Sequence, residues 1–214
     1  MAYSVKEMFY SLQGEGANTG RTAVFCRFSG CNLWSGREQD RAAAACDFCD
    51  TDFVGTDGDG GAKFLGPEAL ADAVENMWLV PGAVGEGTRF VILTGGEPGL
   101  QVDQALIDAL RKRRFEIAIE TNGTVALPHG IHWVTVSPKG QETLALTEGD
   151  ELKLVYPQKD QAPEDFADLA FDHLFLQPKD DANQKQNTQL ALEYCRQNPK
   201  WRLSLQTHKL LDIR

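Results

Sequence analysis

The stretch RFVILTGGEPGLQVDQALIDALRKRRFEIAIE, residues 89–120, reads as a strand, a helix and a second strand. Its first part, Arg89–Thr94, is an apolar run that is typical of a buried strand. In Val102–Arg113 the apolar residues recur on one helical face, and Phe115–Glu120 is again strand-like. Because strands that alternate with helices usually pair in parallel, the stretch predicts a βαβ unit.

The same alternation continues outside this stretch. Pro67–Trp78 opens with proline at a first-turn position, and Asn183–Gln197 is the third predicted helix. A complete eight-unit barrel usually needs about 250 residues, and only three long helices are convincing in a chain of 214. The sequence therefore predicts an α/β fold, an open, incomplete β/α barrel with mostly parallel strands, in a single domain over residues 1–214. The other predicted strands are Thr22–Phe28, His132–Val136, Leu152–Tyr156, His173–Gln177 and Arg202–Leu205.

Composition and charge limit the classes of partner. The chain carries a net charge of −10, from 31 acidic and 21 basic side chains. Such an acidic chain is a poor match for a nucleic-acid backbone or an anionic membrane, because both repel it. The start, MAYSVKEMFYSLQGEG, lacks the segments of a signal peptide, and no run approaches the ~18 apolar residues of a membrane span. We expect a cytoplasmic protein, with no nucleic acid and no membrane among its partners.

Three of the five cysteines stand out by their surroundings. Cys31, Cys46 and Cys49 lie among Gly, Asn, Ser and Asp in a predicted loop, where thiols can converge. Cys26 lies in a strand and Cys195 in a helix, as inert packing residues usually do. In a reducing compartment, grouped cysteines are more often metal ligands or nucleophiles than disulfides. Three thiolates can hold an iron–sulfur cluster and leave one iron free to bind a small molecule.

Polar segments follow the predicted strands with some regularity. The C-terminal ends of parallel strands meet at one edge of such a fold, where its chemistry collects, so these segments predict a site. Within one of them, the glycine pair would let the backbone approach a ligand with no Cβ in the way. The segments are Ser29–Asn32, Gly95–Pro98, Thr121–Gly123, Ser137–Lys139 and Gln177–Asp180.

Several of these segments belong to longer motifs that resemble a known family, the radical S-adenosylmethionine (SAM) enzymes, and within it the 7-carboxy-7-deazaguanine synthases. The resemblance extends over nearly the whole chain, and it implies an incomplete β/α barrel of the radical SAM type. Its motifs are FYSLQGEG (9–16), FCRFSGCNL (25–33), CDFCDT (46–51), TGGEP (94–98), ETNG (120–123), SPK (137–139) and QTH (206–208).

One departure from the superfamily concerns the spacing of the cysteines. The usual pattern places three and then two residues between them, whereas here fourteen and then two intervene. The extra residues form an insertion, Trp34–Ala45, between Cys31 and Cys46. Since the entropic cost of closing a loop grows slowly with its length, we expect the insertion only to lengthen the loop and the cluster to be retained.

The resemblance implies a reaction and its cofactors. The substrate would be 6-carboxy-5,6,7,8-tetrahydropterin, rearranged to 7-carboxy-7-deazaguanine with loss of ammonia in queuosine-precursor biosynthesis. A [4Fe–4S] cluster on Cys31, Cys46 and Cys49 would bind SAM, whose 5′-deoxyadenosyl radical would abstract hydrogen from C6 of the substrate. Also implied are Mg²⁺ with Thr51 as its ligand, a flavodoxin-type electron donor and a homodimer.

The resemblance also implies which residues bind SAM and the substrate; SAM carries the radical, so no catalytic side chain is implied. The guanidinium of Arg27 can form a planar, two-bond pair with the carboxylate of the pterin. Glu15 is a further candidate. The implied SAM-binding residues are Phe48, Cys49, Asp50, Gly95, Gly96, Glu97, Ser137, Pro138, Lys139, Gln177, Pro178, Lys179 and Asp180. The implied substrate-binding residues are Leu12, Gln13, Gly14, Arg27, Thr94 and Arg214.

Two other functions stay open on the sequence alone. A radical SAM activase that forms a glycyl radical in a partner protein shares the cluster and the Gly95–Pro98 segment, but its polypeptide substrate would not need Gln13. A non-enzymatic zinc module could use Cys46 and Cys49 as half of a four-ligand site. That module would need Cys26 to turn from its strand toward the loop.

The C-terminal segment is a candidate cover for the site. Chain ends are usually frayed, but Leu210, Leu211 and Ile213 are apolar enough to pack down. The resemblance adds that family members fold this tail over the substrate. We therefore expect the tail to close the site.

Overall fold

Strands and helices alternate along the part of the chain that this computed structural model describes, residues 2–79 and 87–214. None of the helices in these ranges is long and apolar enough to cross a membrane. The strands are β1 (Ala2–Leu12), β2 (Thr22–Phe28), β3 (Ala62–Leu65), β4 (Arg89–Gly95), β5 (Phe115–Thr121), β6 (Trp133–Val136), β7 (Glu148–Tyr156), β8 (Ala170–Pro178) and β9 (Trp201–Leu203). The helices are α1 (Pro67–Trp78), α2 (Gln104–Lys112), α3 (Gln184–Gln197) and α4 (Thr207–Leu211).

These strands form one sheet in the order β3-β1-β2-β4-β5-β6-β7-β8-β9. β1 is antiparallel to β2 and to β3. Every neighbouring pair from β2 and β4 onward is parallel. The predicted mostly parallel α/β class is therefore confirmed.

The stretch over residues 89–120 forms the predicted unit of β4, α2 and β5. The two strands pair in parallel. α2 begins after Asp103, whose carboxylate accepts a hydrogen bond from the backbone N–H of Leu106 at 3.0 Å, the usual geometry of an N-cap. One face of α2, including Leu106, Ile107 and Leu110, is fully buried against the sheet. Burial of this face holds the helix on the strands that carry the site.

The C-terminal ends of the parallel strands lie along one edge of the sheet. β2 ends at Phe28, β4 at Gly95, β5 at Thr121, β7 at Tyr156 and β8 at Pro178. Four of the five polar segments that the sequence places after its strands lie at these ends, and the fifth, Ser137–Lys139, follows β6, which ends at Val136. The fold therefore brings the cysteine loop and the glycine turn to the same edge, as expected for parallel strands.

The sequence pattern does not predict β1, β3 or α4. In β1, buried and exposed side chains fail to alternate strictly, and the pairing register with β2 slips between Val5 and Glu7. That slip hides the two-residue period by which strands are recognised. β3 has only four residues and α4 only five, too few to show a period.

The glycine- and aspartate-rich composition of the segment Asp52–Ala62 predicts a flexible loop, and in the structure the backbone of this loop pairs with β1. The N–H of Met8 donates to the carbonyl of Asp59 at 2.8 Å, and the N–H of Gly58 donates to the carbonyl of Lys6 at 2.9 Å. Because its backbone groups pair with β1, the segment is fixed along that strand.

Candidate cluster and substrate site

A cavity of about 490 Å³ opens at the C-terminal edge of the sheet. Its walls combine the ends of β2 and of β4 to β8, the loop that carries Cys46 and Cys49, and two residues of α4, His208 and Lys209. Cavities that bind small molecules usually measure about 300–1,000 Å³. The dimensions therefore suit one or two small ligands.

The thiols of Cys31, Cys46 and Cys49 all line this cavity. The backbone N–H of Leu33 donates to Sγ of Cys31 at 3.4 Å. A hydrogen bond from the thiol of Cys46 lowers the pKa of Cys49 to about 6, and the same bond, with burial, raises the pKa of Cys46. Burial raises the pKa of Cys31. The hydrogen bond between the two thiols therefore favours the thiolate, the form that binds metals, at Cys49.

These thiols form a donor set that fits an iron–sulfur cluster. Within the described residues, no three Cys, His, Asp or Glu side chains converge closely enough to hold a single metal ion. A [4Fe–4S] cluster takes its cysteine ligands on separate irons, and all three thiols line one cavity. Cys26, the fourth ligand that a zinc module would need, is fully buried in the core.

Gly95 and Gly96 fix the turn that carries Cys31. Gly95 has φ +138°, and a Cβ on it would lie 2.3 Å from the carbonyl oxygen of Phe28. A Cβ on Gly96 would lie 2.1 Å from the carbonyl oxygen of Gly30 and 3.0 Å from Cβ of Cys31. The glycine pair is therefore needed for close packing of two backbones, a reason that the sequence analysis did not give.

Glu97, the next residue, joins the ends of β4 and β5 from inside the protein. Its side chain is fully buried and accepts hydrogen bonds from the N–H of Gly99 at 2.8 Å, from Oγ1 of Thr121 at 2.7 Å and from the N–H of Asn122 at 2.7 Å. Burial raises its pKa, although these three donors oppose the shift. The carboxylate is thus occupied by the scaffold and does not line the cavity.

An ionic network forms the floor of the cavity. Lys153, on β7, pairs with Glu15 and lies 3.8 Å from Glu120. Glu120 also accepts hydrogen bonds from Nε2 of Gln13 at 2.9 Å and from Oγ1 of Thr94 at 3.0 Å. Burial opposes both charges of the Lys153–Glu15 pair, but their attraction raises the pKa of Lys153 and lowers that of Glu15. The floor therefore presents fixed charges and oriented amide and hydroxyl groups to a ligand.

Arg27 and Arg214 lie on one side of the cavity with Glu7 between them. Nε of Arg27 lies 2.8 Å from Oε1 of Glu7, and Nη2 of Arg214 lies 2.6 Å from Oε2. Glu7 thus occupies one side of the Arg27 fork. The guanidinium of Arg214 also lies over the ring of Phe9, 4.9 Å from its centroid. This arrangement holds the last residue of the chain against β1.

The tail is held differently from the sequence expectation. Leu210, Leu211 and Ile213 are 74%, 61% and 38% exposed, so the prediction that they pack down is wrong. The chain is anchored instead by polar contacts, including a hydrogen bond from the N–H of Thr207 to the carbonyl of Gly14 at 2.9 Å. Hydrogen bonds, rather than apolar burial, therefore hold α4 at the cavity.

A second set of contacts joins residues of the cavity wall to one another. Nζ of Lys209 lies 2.7 Å from Asp50 and also pairs with Asp180, so α4 bridges the cysteine loop and the end of β8. Nζ of Lys139 donates to Oγ of Ser137 at 2.9 Å. Burial lowers the pKa of Lys139, while attraction to the thiols of the cysteine loop opposes the shift.

Most residues that the sequence assigns to the site are brought together here. Two of them, Glu97 and Pro138, are buried and do not line the cavity. Those that do are Leu12, Gln13, Gly14, Arg27, Cys31, Cys46, Phe48, Cys49, Asp50, Thr51, Thr94, Gly95, Gly96, Ser137, Lys139, Gln177, Pro178, Lys179, Asp180 and Arg214.

Sequence reasoning missed several residues that line the cavity. Lys153 interrupts an apolar strand, and a buried lysine is rare unless it is paired, so a signal was present. Glu120 and His208 lie inside the quoted motifs ETNG and QTH, but no role was attached to them. Glu7 and Lys209 show no pattern, because their partners are distant in sequence.

Comparisons with known proteins agree on one family. The 7-carboxy-7-deazaguanine synthases of Bordetella pertussis and Caulobacter vibrioides are each 58% identical to this chain, over the full length of both proteins. The Escherichia coli synthase is 35% identical, again over both full lengths. The crystal structure of QueE from Escherichia coli matches with a TM-score of 0.69 and 28% identity, covering 96% of this chain and 94% of that one. No protein-family model matches the chain.

The mostly parallel partial barrel with three thiols at its C-terminal edge defines a radical SAM enzyme, which uses an iron–sulfur cluster and SAM. Within that class, the chain belongs to the 7-carboxy-7-deazaguanine synthases. The resemblance seen in the sequence and the prediction that the chain is an enzyme are confirmed.

Proposed function

We propose that this cavity converts 6-carboxy-5,6,7,8-tetrahydropterin to 7-carboxy-7-deazaguanine with loss of ammonia. Membership of the synthase family supports the reaction. The observation that carries the proposal is the meeting of three thiols and a buried ionic floor in one cavity of about 490 Å³. A small polar substrate can then lie beside the group that generates the radical.

Cys31, Cys46 and Cys49 would hold the [4Fe–4S] cluster. When bound, the cluster would supply the electron for reductive cleavage of SAM, and the radical chemistry that this starts would act at C6 of the substrate. The protein contributes orientation of the reactants and exclusion of side reactions. The proposed SAM-binding residues are Phe48, Cys49, Asp50, Gly95, Gly96, Glu97, Ser137, Pro138, Lys139, Gln177, Pro178, Lys179 and Asp180, of which all but Glu97 and Pro138 line the cavity.

The substrate would be recognised by polar groups whose orientation is already fixed. Because Glu120 holds the amide of Gln13, that amide is presented to the guanidine-like edge of the pterin together with the backbone of Leu12 and Gly14. The Nη groups of Arg27 would bind the substrate carboxylate, while Glu7 holds Nε. Thr94 and Arg214 complete the proposed substrate-binding set. Preorganised donors of this kind reduce the entropy lost on binding.

Mg²⁺ is proposed to bind at Thr51, which lines the cavity beside the cysteine loop. One neutral hydroxyl is a weak site for an ion that demands octahedral oxygen coordination. Substrate oxygens and water would supply the remaining ligands, so Mg²⁺ binding should require the substrate. Titration of Mg²⁺ with and without the carboxypterin checks this dependence.

The family resemblance supports further proposals about the protein in the cell. They are a single domain over residues 1–214, a homodimer, a cytoplasmic location and a flavodoxin-type protein as electron donor. Light scattering measures the assembly. To identify the electron donor, candidate flavodoxins are mixed with the protein and reduction of the cluster is followed by its visible absorption.

Anaerobic reconstitution with iron and sulfide, followed by incubation with SAM, reductant, Mg²⁺ and the carboxypterin, tests the proposed function. We expect a brown protein that forms 7-carboxy-7-deazaguanine and ammonia in equal amounts. A brown protein that cleaves SAM but leaves the carboxypterin unchanged would contradict the substrate assignment.

A further inference from the structure

Arg41, a residue of the insertion Trp34–Ala45, forms hydrogen bonds to the cysteine loop. The insertion contains a short 3-10 helix, Glu38–Ala43, that carries Arg41. Nη1 of Arg41 donates hydrogen bonds to the backbone carbonyl of Asp47 at 2.9 Å and to that of Cys49 at 3.0 Å. The guanidinium therefore joins two carbonyls within the segment that carries the paired thiols.

This guanidinium is itself held on two other sides. Cζ of Arg41 lies 4.1 Å from the ring centroid of Trp34, and Nε donates to the carboxylate of Glu38 at 2.9 Å. Trp34 is only 8% exposed and packs edge-on against Phe53, with ring centroids 5.6 Å apart. A planar cation stacked on a buried ring and paired with a carboxylate has little freedom to leave the carbonyls.

We propose that Arg41 is a positioning residue for the iron–sulfur cluster, fixing the backbone of the Cys46–Cys49 loop so that its thiolates face the irons. The inference rests on the proposed ligands. Groups outside the ligand set commonly orient the ligands and tune metal affinity. It also revises the expectation that Trp34–Ala45 merely lengthens the loop. The insertion supplies Arg41, which fixes the Cys46–Cys49 segment by hydrogen bonds.

The pair of Arg41 with the exposed Glu38 is weak, so the effect of Arg41 on the loop comes mainly from the two hydrogen bonds that it donates. Removing the fork would leave the carbonyls of Asp47 and Cys49 to water and let the loop take other conformations. The cluster would then be lost more readily, while the sheet and its core would stay folded.

The test compares Arg41→Ala with Arg37→Ala after anaerobic reconstitution. Arg37 lies in the same insertion with an exposed side chain, so its removal changes the net charge equally. Visible absorption follows the release of iron to a chelator, and circular dichroism with thermal unfolding follows the fold. We expect iron release to be about tenfold faster in Arg41→Ala, at the lower end of the ~10–100-fold effects of such groups, and unchanged in Arg37→Ala.

Arg41→Lys keeps the charge but loses the planar fork, so its iron release should fall between the two. Parent-like release from a folded Arg41→Ala protein would overturn the proposal. Should Arg41→Ala fail to fold, Arg41→Lys decides, because a parent-like rate there also overturns it. A parent protein that binds no cluster would instead refute the ligand set on which the inference rests.

Discussion

Lys153 brings a positive charge beneath the carboxylates of Glu15 and Glu120 in the cavity floor. We expect Lys153→Met to lower the free energy of unfolding by about 3–5 kcal/mol, because it leaves buried charges unpaired. Urea unfolding at equal cluster loading measures the change. Lys63→Met alters an exposed lysine and should stay within about 0.5 kcal/mol of the parent. A loss of the same size in both variants would contradict the role of the network.

The same pair sets a pH dependence. Burial opposes charge on Glu15, but Lys153 lowers its pKa, so the stabilisation is complete above the ordinary glutamate pKa of ~4.3 and is lost as pH falls through the folded value. Burial likewise opposes charge on Lys153, yet Glu15 and its neighbours raise its pKa, so stabilisation is complete below ~10.4 and is lost as pH rises through the folded value.

Without Lys153, burial raises the pKa of Glu15, so the variant is relieved by protonation at a higher pH than the parent. The stability difference between the parent and Lys153→Met should therefore be largest at neutral to mildly alkaline pH and shrink steadily in acid. Urea unfolding from mildly alkaline to acidic pH measures it. A difference that grows on acidification would mean that Glu15 is not charged in the folded protein.

The three loop cysteines could be picked out from their neighbours alone, because polar loop residues set them apart from Cys26 and Cys195. The residues of the ionic network in the cavity floor could not be predicted from their neighbours in sequence. Glu15, Glu120 and Lys153 come from three separate parts of the chain, and only the strand order β5-β6-β7 and the turn after β1 bring them together. Residues joined by tertiary structure leave little local pattern.

At the scale of elements, the buried carboxylate of Glu97 connects the end of β4 to the end of β5. Glu97→Gln replaces one acceptor oxygen by an NH₂ group that faces donors. We expect a loss of about 1–3 kcal/mol in unfolding free energy, the usual cost of a buried unsatisfied polar group. Differential scanning calorimetry compares it with Glu142→Gln at an exposed position. Equal transition temperatures in the two variants would rule out the connecting role.

The C-terminal tail couples to the substrate side through charge. Arg214 binds Glu7, and Glu7 binds Arg27. Without Arg214, the whole negative charge of Glu7 acts on Arg27. Arg27 is the proposed partner of the substrate carboxylate. The tail therefore affects how much positive charge the substrate meets.

Deleting Leu211–Arg214 should raise the KM for the carboxypterin about tenfold, or ~1.4 kcal/mol, and leave cluster and SAM binding unchanged. Steady-state kinetics measure the change. Arg214→Ala, which keeps the tail backbone, should show part of the effect. An unchanged KM in the truncated protein would show that the tail is a frayed chain end with no role in substrate binding.

At the scale of the whole molecule, the sequence predicts the parallel part of the fold well. β2 and α1 have the predicted bounds, and the other predicted strands and helices lie within a few residues of theirs. The antiparallel edge of β1 and β3 was missed, since β1 carries a register slip and β3 has only four residues. The pairing of the glycine-rich loop with β1 was not predicted either, because it depends on partners outside the segment.

Formation of 7-carboxy-7-deazaguanine by a series of cysteine variants tests the central claim most directly. Cys31→Ala, Cys46→Ala and Cys49→Ala should each abolish SAM cleavage and product, because each removes a proposed cluster ligand from the cavity. Cys26→Ala and Cys195→Ala should keep both activities, since one thiol is buried in the core and the other lies on α3. Product formed by any of the first three variants would contradict the account.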